Sequence, residues 1–251
     1  MLRGVFRLAG VLIGGASAIL CPGIALAQSW FNPFAAPTYN PTTMVFGGAT
    51  ATPTSAFGYI GGVYGVGADL WSDGYRVRVQ AGAGTYEHEI TGARNKDIPF
   101  FSGELMAGYS RGFGEARLSG FLGVHVESHN NKNPGADIDG TDIGIKGQAE
   151  LWLPLSDKVH VVASGSISSV HTNYYATARA MRRLNERFAI GPEAVAMGSR
   201  YYDQIRLGLA GEAWLGKTVV VVSAGHGWSN SNGLMAESEG VYGNFHFNIG
   251  F

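Results

Sequence analysis

The chain has 251 residues, of which 45% are hydrophobic, only 15% are charged and 38 are glycine, about twice the usual glycine share. Its formal net charge of −1 argues against a protein that binds nucleic acid or another polyanion. Composition alone fits either a soluble exported protein or a membrane barrel, so the strand pattern has to separate the two.

Residues 1–27 predict a secretory signal peptide that is cleaved after Ala27. The segment has a basic head with two arginines, an apolar run over 8–24 and a small-x-small cleavage site. Glycines and a proline interrupt the apolar run, which disfavours the alternative of an uncleaved membrane anchor. The only cysteine, Cys21, precedes the cut, so the mature chain would have no thiol for a disulfide or for a metal ion.

Residues 28–41 lack periodicity and contain several prolines, so we expect an extended periplasmic leader before the first strand. No later stretch approaches the roughly 20 apolar residues that a spanning helix needs. An exported protein of this kind is either soluble or a membrane β-barrel.

Residues 42–251 predict twelve strands, and alternation is clearest in the third, fifth, sixth, eighth and tenth. In the third strand Val77 and Val79 share one face. Arg76 and Arg78 share the other face, as the period-two geometry of a strand requires. Six further strands are glycine-rich or more apolar and alternate less cleanly; they are predicted at about 43–50, 56–70, 100–111, 158–172, 187–197 and 217–226.

The connections between these strands alternate in length. Tight turns such as 71–74 and 155–157 alternate with longer polar links, of which the longest are 91–99, 128–141 and 227–240. Outer-membrane barrels have short periplasmic turns and longer outer loops, and an even strand count places both chain ends on the periplasmic side.

Aromatic residues fall near the predicted periplasmic strand ends, as an interfacial girdle requires. They are Trp71, Tyr75, Phe113, Trp152, Phe188, Trp214 and Phe251. Trp152 and Trp214 have the inward parity of their strands. We therefore expect either a bulge that turns them outward or two residues that plug the bore.

The final segment, 241–251, alternates strictly and ends on an aromatic residue, which is typical of the last strand of bacterial outer-membrane barrels. Several strands alternate over nine or more residues, longer than the usual 5–6 of a soluble sandwich. The outward-facing residues of these strands include no charged residue in mid-strand, where a charge in contact with lipid would be costly. The sequence thus predicts an all-β fold, an antiparallel up-and-down transmembrane β-barrel of about 12 strands in the outer membrane, rather than an exported sandwich.

Charged side chains with the inward parity are predicted to line the lumen: Arg76, Arg78, Glu104, Arg117, Lys146, Glu150, Arg179, Glu193, Arg206 and Glu212. The favoured interpretation for most of them is a network that pairs across the bore and fills it, because an unpaired buried charge is costly. The alternative is a polar passage for a neutral, hydroxyl-rich solute such as a glycan. Twelve strands lie between packed eight-stranded barrels and open porins, so the bore size stays undecided.

The segment after strand eleven carries the sharpest enzyme-like pattern. Outer-membrane lipid hydrolases carry His, one residue, then Ser-Asn, because a nucleophilic hydroxyl needs a base on its own strand face. Here Trp228 occupies the position two after His226. Ser229 points to the opposite face, and Ser231 would require a bulge or a loop. A lipid esterase or deacylase using His226 with Ser229 or Ser231 is therefore an alternative, and we expect no enzymatic activity.

Metal and cofactor motifs are weak throughout the chain. Asp137, Asp139 and Asp142 suggest calcium, but the remaining ligands of a calcium loop are missing, so turn-forming aspartates are favoured. The seven histidines show no metal-ligand spacing, and no phosphate-cradling glycine loop precedes a helix. We predict no metal ion and no cofactor.

Short glycine-dominated motifs span nearly all of the predicted mature chain. On these motifs the chain resembles the alphaproteobacterial cellulose biosynthesis protein BcsS family. The motifs are Val45-Phe46-Gly47-Gly48, Asp73-Gly74-Tyr75-Arg76-Val77-Arg78, Ala107-Gly108-Tyr109, Ala189-Ile190-Gly191-Pro192-Glu193, Arg206-Leu207-Gly208, Ser223-Ala224-Gly225, and Tyr242-Gly243 before Phe251.

The resemblance implies an outer-membrane barrel that is encoded alongside cellulose synthase and helps to secrete or anchor the glucan. It implies the cellulose chain and other cellulose-synthase secretion components as partners, besides outer-membrane lipids. The family has no established catalytic residues, so the resemblance assigns none, and the 226–233 loop departs from the family. A structural or small-solute barrel without a glycan role remains a further alternative.

Overall fold

The computed structural model describes residues 40–88, 96–131, 138–231 and 239–251. Within them, twelve strands form one closed barrel in which each strand pairs antiparallel with its sequence neighbours and β1 pairs with β12. The closed barrel confirms the predicted fold class. The predicted signal peptide and almost all of the leader lie outside the described residues. The strands are β1 Thr43–Thr52, β2 Ser55–Val66, β3 Gly74–His88, β4 Lys96–Phe113, β5 Ala116–His129, β6 Gly140–Ser156, β7 Val159–Ser168, β8 Tyr174–Arg183, β9 Phe188–Ser199, β10 Tyr202–Leu215, β11 Thr218–Ser231 and β12 Gly240–Gly250.

The first and last strands close the barrel. In the β1–β12 register Met44 lies opposite Gly250. The carbonyl oxygen of Phe251 accepts hydrogen bonds from the backbone N–H groups of Thr42 and Thr43, at 2.8 and 3.1 Å. Closure pairs the backbone N–H and C=O groups of both sheet edges. A barrel in lipid requires this, because no water is present to form hydrogen bonds with those groups. The start of β1 and the end of β12 lie at one rim, here called the terminal rim, and the opposite rim is called the loop rim.

Side chains alternate between an apolar outer face and a polar inner face. On the outer face Leu122 and Leu209 are 65% and 62% exposed. On the inner face Arg78 and Lys146 are 0% and 2% exposed. This is the inverse of a soluble protein and matches a barrel whose wall contacts hydrocarbon. No helix in the described ranges has the length and apolar character needed to span a membrane.

Aromatic residues mark the terminal rim, and two of them lie inside it. Tyr75, Phe113, Phe188 and Phe251 are exposed there, as the predicted girdle requires. Trp152 and Trp214 are buried in the interior. The β6–β7 register shifts only between Pro154 and Ser156, so Trp152 keeps its inward parity. Of the two expected explanations, the structure selects plug residues over a bulge.

Four predicted strand boundaries are wrong, and backbone conformation explains two of them. The strand predicted over 158–172 ends at Ser168, because a 3-10 turn follows in which His171 and Thr172 have φ of 50° and 56°. The strand predicted over 56–70 ends at Val66, because Gly67 has φ of 72°, a left-handed conformation that favours glycine. Conversely, β4 begins at Lys96, before the predicted start at 100, and β11 continues through the first part of the predicted 227–240 link.

Candidate functional site

The middle of the bore holds a buried ion network, here called the central network, formed by Arg78 on β3, Glu104 on β4, and Lys146 and Glu150 on β6. Glu104 accepts hydrogen bonds from Arg78 Nε at 3.0 Å and from Lys146 Nζ at 2.5 Å. Arg78 Nη1 lies 3.4 Å from Glu150 Oε1. These four side chains are at most 7% exposed. Each charge is stabilised by the opposite charges beside it, because all four groups are removed from water.

Neutral side chains complete the central network. Gln148 Nε2 donates to Glu150 Oε1 at 2.7 Å, and Arg78 Nη2 donates to Gln80 Oε1 at 3.2 Å. The Arg78 guanidinium also lies 4.4 Å from the centre of the Phe46 ring on β1, a cation–π distance. The contacts therefore reach from β1 to β6, half of the barrel circumference.

A second polar group, around Glu193 on β9, occupies the opposite wall. Its Oε1 accepts hydrogen bonds from Ser223 Oγ at 2.7 Å, Tyr242 Oη at 3.2 Å and Asn244 Nδ2 at 3.3 Å. Its Oε2 lies 3.9 Å from Nε of Arg179, and both side chains are fully buried. This group joins β8 and β9 to β11 and β12 through the interior.

Several contacts cross the bore between strands that are three apart in the barrel. Besides the Arg78–Glu150 pair, His160 Nε2 on β7 lies 3.0 Å from Glu212 Oε2 on β10. Arg206 Nη1 on β10 donates to Thr50 Oγ1 on β1 at 3.2 Å. Side chains that meet from strands this far apart must extend into the lumen, so they narrow the bore.

An aromatic layer lies between the central network and the loop rim. Phe57 stacks on Phe100 and Tyr59 with ring centroids 5.6 and 5.9 Å apart, and Tyr86 lies 5.9 Å from Phe100. These rings are at most 8% exposed. Inward Phe57 and Tyr59 make both faces of β2 apolar, which explains why this strand showed no clean alternation in the sequence.

The predicted lumen residues separate into two sets. Eight lie in the bore as described above: Arg78, Glu104, Lys146, Glu150, Arg179, Glu193, Arg206 and Glu212. The other two, Arg76 and Arg117, lie at the terminal rim and bind the turn between β2 and β3. Arg76 Nη2 donates to the carbonyl oxygens of Asp69 and Ser72, at 3.1 and 2.5 Å. Arg117 Nη1 donates to the Ser72 carbonyl at 3.1 Å.

The same turn contains a carboxylate with a shifted pKa. Partial burial acts to raise the pKa of Asp69, but hydrogen bonds from the hydroxyl and N–H of Ser72 and the N–H of Trp71 outweigh it and lower the pKa. Asp69 thus stays ionised at neutral pH and caps the turn that Arg76 and Arg117 hold.

His226 does not share a strand face with Ser229. The His226 ring lies 4.8 Å from the Trp228 ring on the outer face of β11. Its Nε2 is 3.9 Å from Glu239 Oε1, and both side chains are well exposed. Ser229 has the inward parity, and the side chain of Ser231 is outside the described set. In the described part of the chain, the arrangement of the alternative lipid hydrolase is therefore not assembled.

Glu127, His129 and His171 come together at the loop rim, with ligand-type atoms within 4.8 Å of one another. Sequence spacing missed this cluster, because the first two lie on β5 and His171 lies in the 3-10 turn after β7. The one local signal is the i, i+2 spacing of Glu127 and His129 on one strand face. Burial lowers the pKa of His171 in that turn, so its ring is neutral at neutral pH. Among the aspartates weighed for calcium, Asp139 accepts a hydrogen bond from the Asn131 N–H at 2.9 Å, which joins the two sides of the 128–141 link.

A closed antiparallel barrel with an apolar outer face, a polar interior and an aromatic rim defines an outer-membrane-type β-barrel. The family model for cellulose biosynthesis protein BcsS matches residues 44–251. The chain belongs to this family. No curated protein matches the chain at a significant level.

Solved structures align with this barrel at low sequence identity. The KdgM porin aligns with a TM-score of 0.50 and 10% identity, over 83% of this chain and 99% of that chain. The KdgM porin in complex with disordered oligogalacturonate gives the same values. The β domain of the Bordetella autotransporter BrkA aligns with a TM-score of 0.49 and 12% identity, over 84% of this chain and 99% of that chain.

Proposed function

We propose that this barrel serves cellulose biosynthesis in the outer membrane, and that it anchors the glucan or assists its secretion from the loop rim instead of conducting it through the bore. Family membership supports the role in cellulose biosynthesis. The apolar outer wall, whose outward-facing residues include no charge in mid-strand, supports an outer-membrane location and contact with its lipids. The cellulose chain and the other secretion components are the proposed partners.

The burial of the bore side chains is the observation that favours anchoring over conduction. A passage wide enough for a glucan also admits water, so the side chains around it would be exposed to water. Arg78 and Lys146 in the central network are 0% and 2% exposed, and the aromatic layer lies between them and the loop rim. In this arrangement the eight bore residues stabilise a plug rather than line a passage.

The proposed function is not enzymatic. Nucleophilic catalysis needs the hydroxyl and its base within hydrogen-bond reach, and His226 and Ser229 lie on opposite faces of β11. We therefore expect a His226→Ala variant to leave the lipid composition of the outer membrane unchanged, which makes it a matched control for the experiment below.

Deletion of the gene should move cellulose from the cell-bound fraction to the medium while the total amount stays the same. Without an anchor, a glucan that is still synthesised and exported is no longer retained. Cellulose in the two fractions is measured in the deletion strain and in strains complemented with the wild-type or the His226→Ala gene. Both genes should restore retention. Loss of total cellulose would instead indicate a role in secretion, and unchanged amounts in both fractions would reject the glycan assignment.

The purified barrel should show no steady ion conductance in a planar lipid bilayer. The cross-bore contacts fill the lumen, so small ions meet a closed path as a glucan does. Single-channel recording checks this, with an open porin as the positive control. A constant conductance at low voltage would refute the filled bore and would favour the small-solute alternative.

A further inference from the structure

We propose that Glu127, His129 and His171 form a binding site for a divalent transition-metal ion at the loop rim, and that Zn²⁺ fits it best. Zn²⁺ takes imidazole nitrogen and carboxylate oxygen as ligands in proteins, and two histidines with one carboxylate hold it with a fourth position left for water. The site lies apart from the central network and does not depend on the glucan role.

The ligand-type atoms of Glu127, His129 and His171 lie within 4.8 Å of one another, close enough for one ion to draw them together. Zn²⁺ ligands at about 2.0–2.1 Å from the metal lie roughly 3.3 Å from one another in a tetrahedron. His129 Nε2 already lies 3.2 Å from Glu127 Oε1. Asp142 Oδ2 lies 3.4 Å from His171 Nε2 and flanks the cluster. Glu127 and Asp142 face each other in the β5–β6 register, which places both carboxylates on the same side of the sheet.

A second layer of hydrogen bonds already orients two of the ligands. Tyr86 Oη lies 3.2 Å from His129 Nδ1, which holds the ring with Nε2 directed at Glu127. Asn173 Nδ2 donates to Glu127 Oε2 at 2.8 Å, so Oε1 stays directed at the cluster. Outer partners of this kind fix the tautomer and the ring orientation of metal ligands.

His171 supplies an independent indication of a ligand. Its Nε2 is buried and makes no hydrogen bond within the described residues. The side chain is 9% exposed and is held there by a backbone with φ of 50°, a conformation that residues other than glycine seldom adopt. Asp142, by contrast, is 54% exposed, so an ion can enter the site from the solvent at the loop rim.

Zn²⁺ titration of the full barrel tests the proposal. Untagged protein, folded in detergent and stripped with a chelator, is titrated with Zn²⁺ by calorimetry and with Co²⁺ by visible absorption, which reports tetrahedral coordination. We expect one ion per barrel and a rise in the unfolding temperature on binding. His171→Asn should weaken Zn²⁺ binding at least about 100-fold, since even outer-layer partners contribute about 10–100-fold.

The variants are chosen so that loss of folding cannot imitate loss of binding. Asparagine accepts positive φ, so His171→Asn preserves the turn, and heat-modifiable migration in gels verifies that the barrel has formed. Glu127→Gln should weaken binding as well. His226→Ala removes an exposed histidine on the outer face and should bind like the wild type. A stoichiometry far below one, or wild-type affinity in both His171→Asn and Glu127→Gln, would overturn the proposal. An equal loss in His226→Ala would show adventitious binding and overturn it too.

Discussion

Replacing Glu104 with glutamine should destabilise the folded barrel by about 3–5 kcal/mol, the usual cost of removing one partner from a buried ion pair. Glu104 is the carboxylate that Arg78 and Lys146 share, at 3.0 and 2.5 Å. Glutamine keeps the size and one acceptor oxygen but removes the negative charge. Arg78 and Lys146 then repel each other in an interior where water does not screen them.

The stability is measured by urea unfolding of the barrel in lipid vesicles, followed by tryptophan fluorescence. Glu115→Gln is the matched control, because Glu115 lies exposed in the turn between β4 and β5 and should change stability by less than about 0.5 kcal/mol. A double variant, Glu104→Gln with Lys146→Met, removes both charges and should recover much of the lost stability. Equal stability of Glu104→Gln and Glu115→Gln would mean that the central network does not hold the bore.

Parity along the strands was sufficient to predict the barrel wall. Val77 and Val79 alternate with Arg76 and Arg78 because hydrocarbon lies on one side and a polar interior on the other. The pattern failed in β2, where inward Phe57 and Tyr59 are as apolar as the outward residues. A wall that is apolar on both faces has no period-two signal, so the aromatic layer could not be predicted.

The alternation along a strand predicts the face on which a side chain lies, but not the residue that it contacts. The contacts in the interior could therefore not be predicted from the sequence. Arg76 and Arg78 have the same parity, yet Arg76 binds turn carbonyls at the terminal rim while Arg78 binds Glu104. The distinction depends on the strand register and on the turn between β2 and β3. The loop-rim cluster depends even more on tertiary structure, because His171 reaches Glu127 only from a 3-10 turn with positive φ.

Replacing Gly225 with alanine should impair barrel folding, because the backbones of β10 and β11 approach each other closely at this position. Gly225 lies opposite Gly208 in the β10–β11 register. A Cβ on Gly225 would overlap the carbonyl oxygen of Leu207 and lie 2.5 Å from Gly208 Cα. These are backbone atoms of a paired strand, so a rotamer change cannot relieve the overlap. The strands must separate, at a cost of about 1–3 kcal/mol or more.

Gly211→Ala is the matched control for this variant. Gly211 lies on β10, and a Cβ there would meet no described atom within 4 Å. Folding yield by gel shift and urea unfolding should therefore distinguish Gly225→Ala from Gly211→Ala; equal behaviour of the two would show that the strands can separate freely. Separation of β11 would also displace Ser223, which donates to Glu193 at 2.7 Å. The overlap at Gly225 should thus also weaken the hydrogen bonds around Glu193, because β11 carries both Gly225 and Ser223.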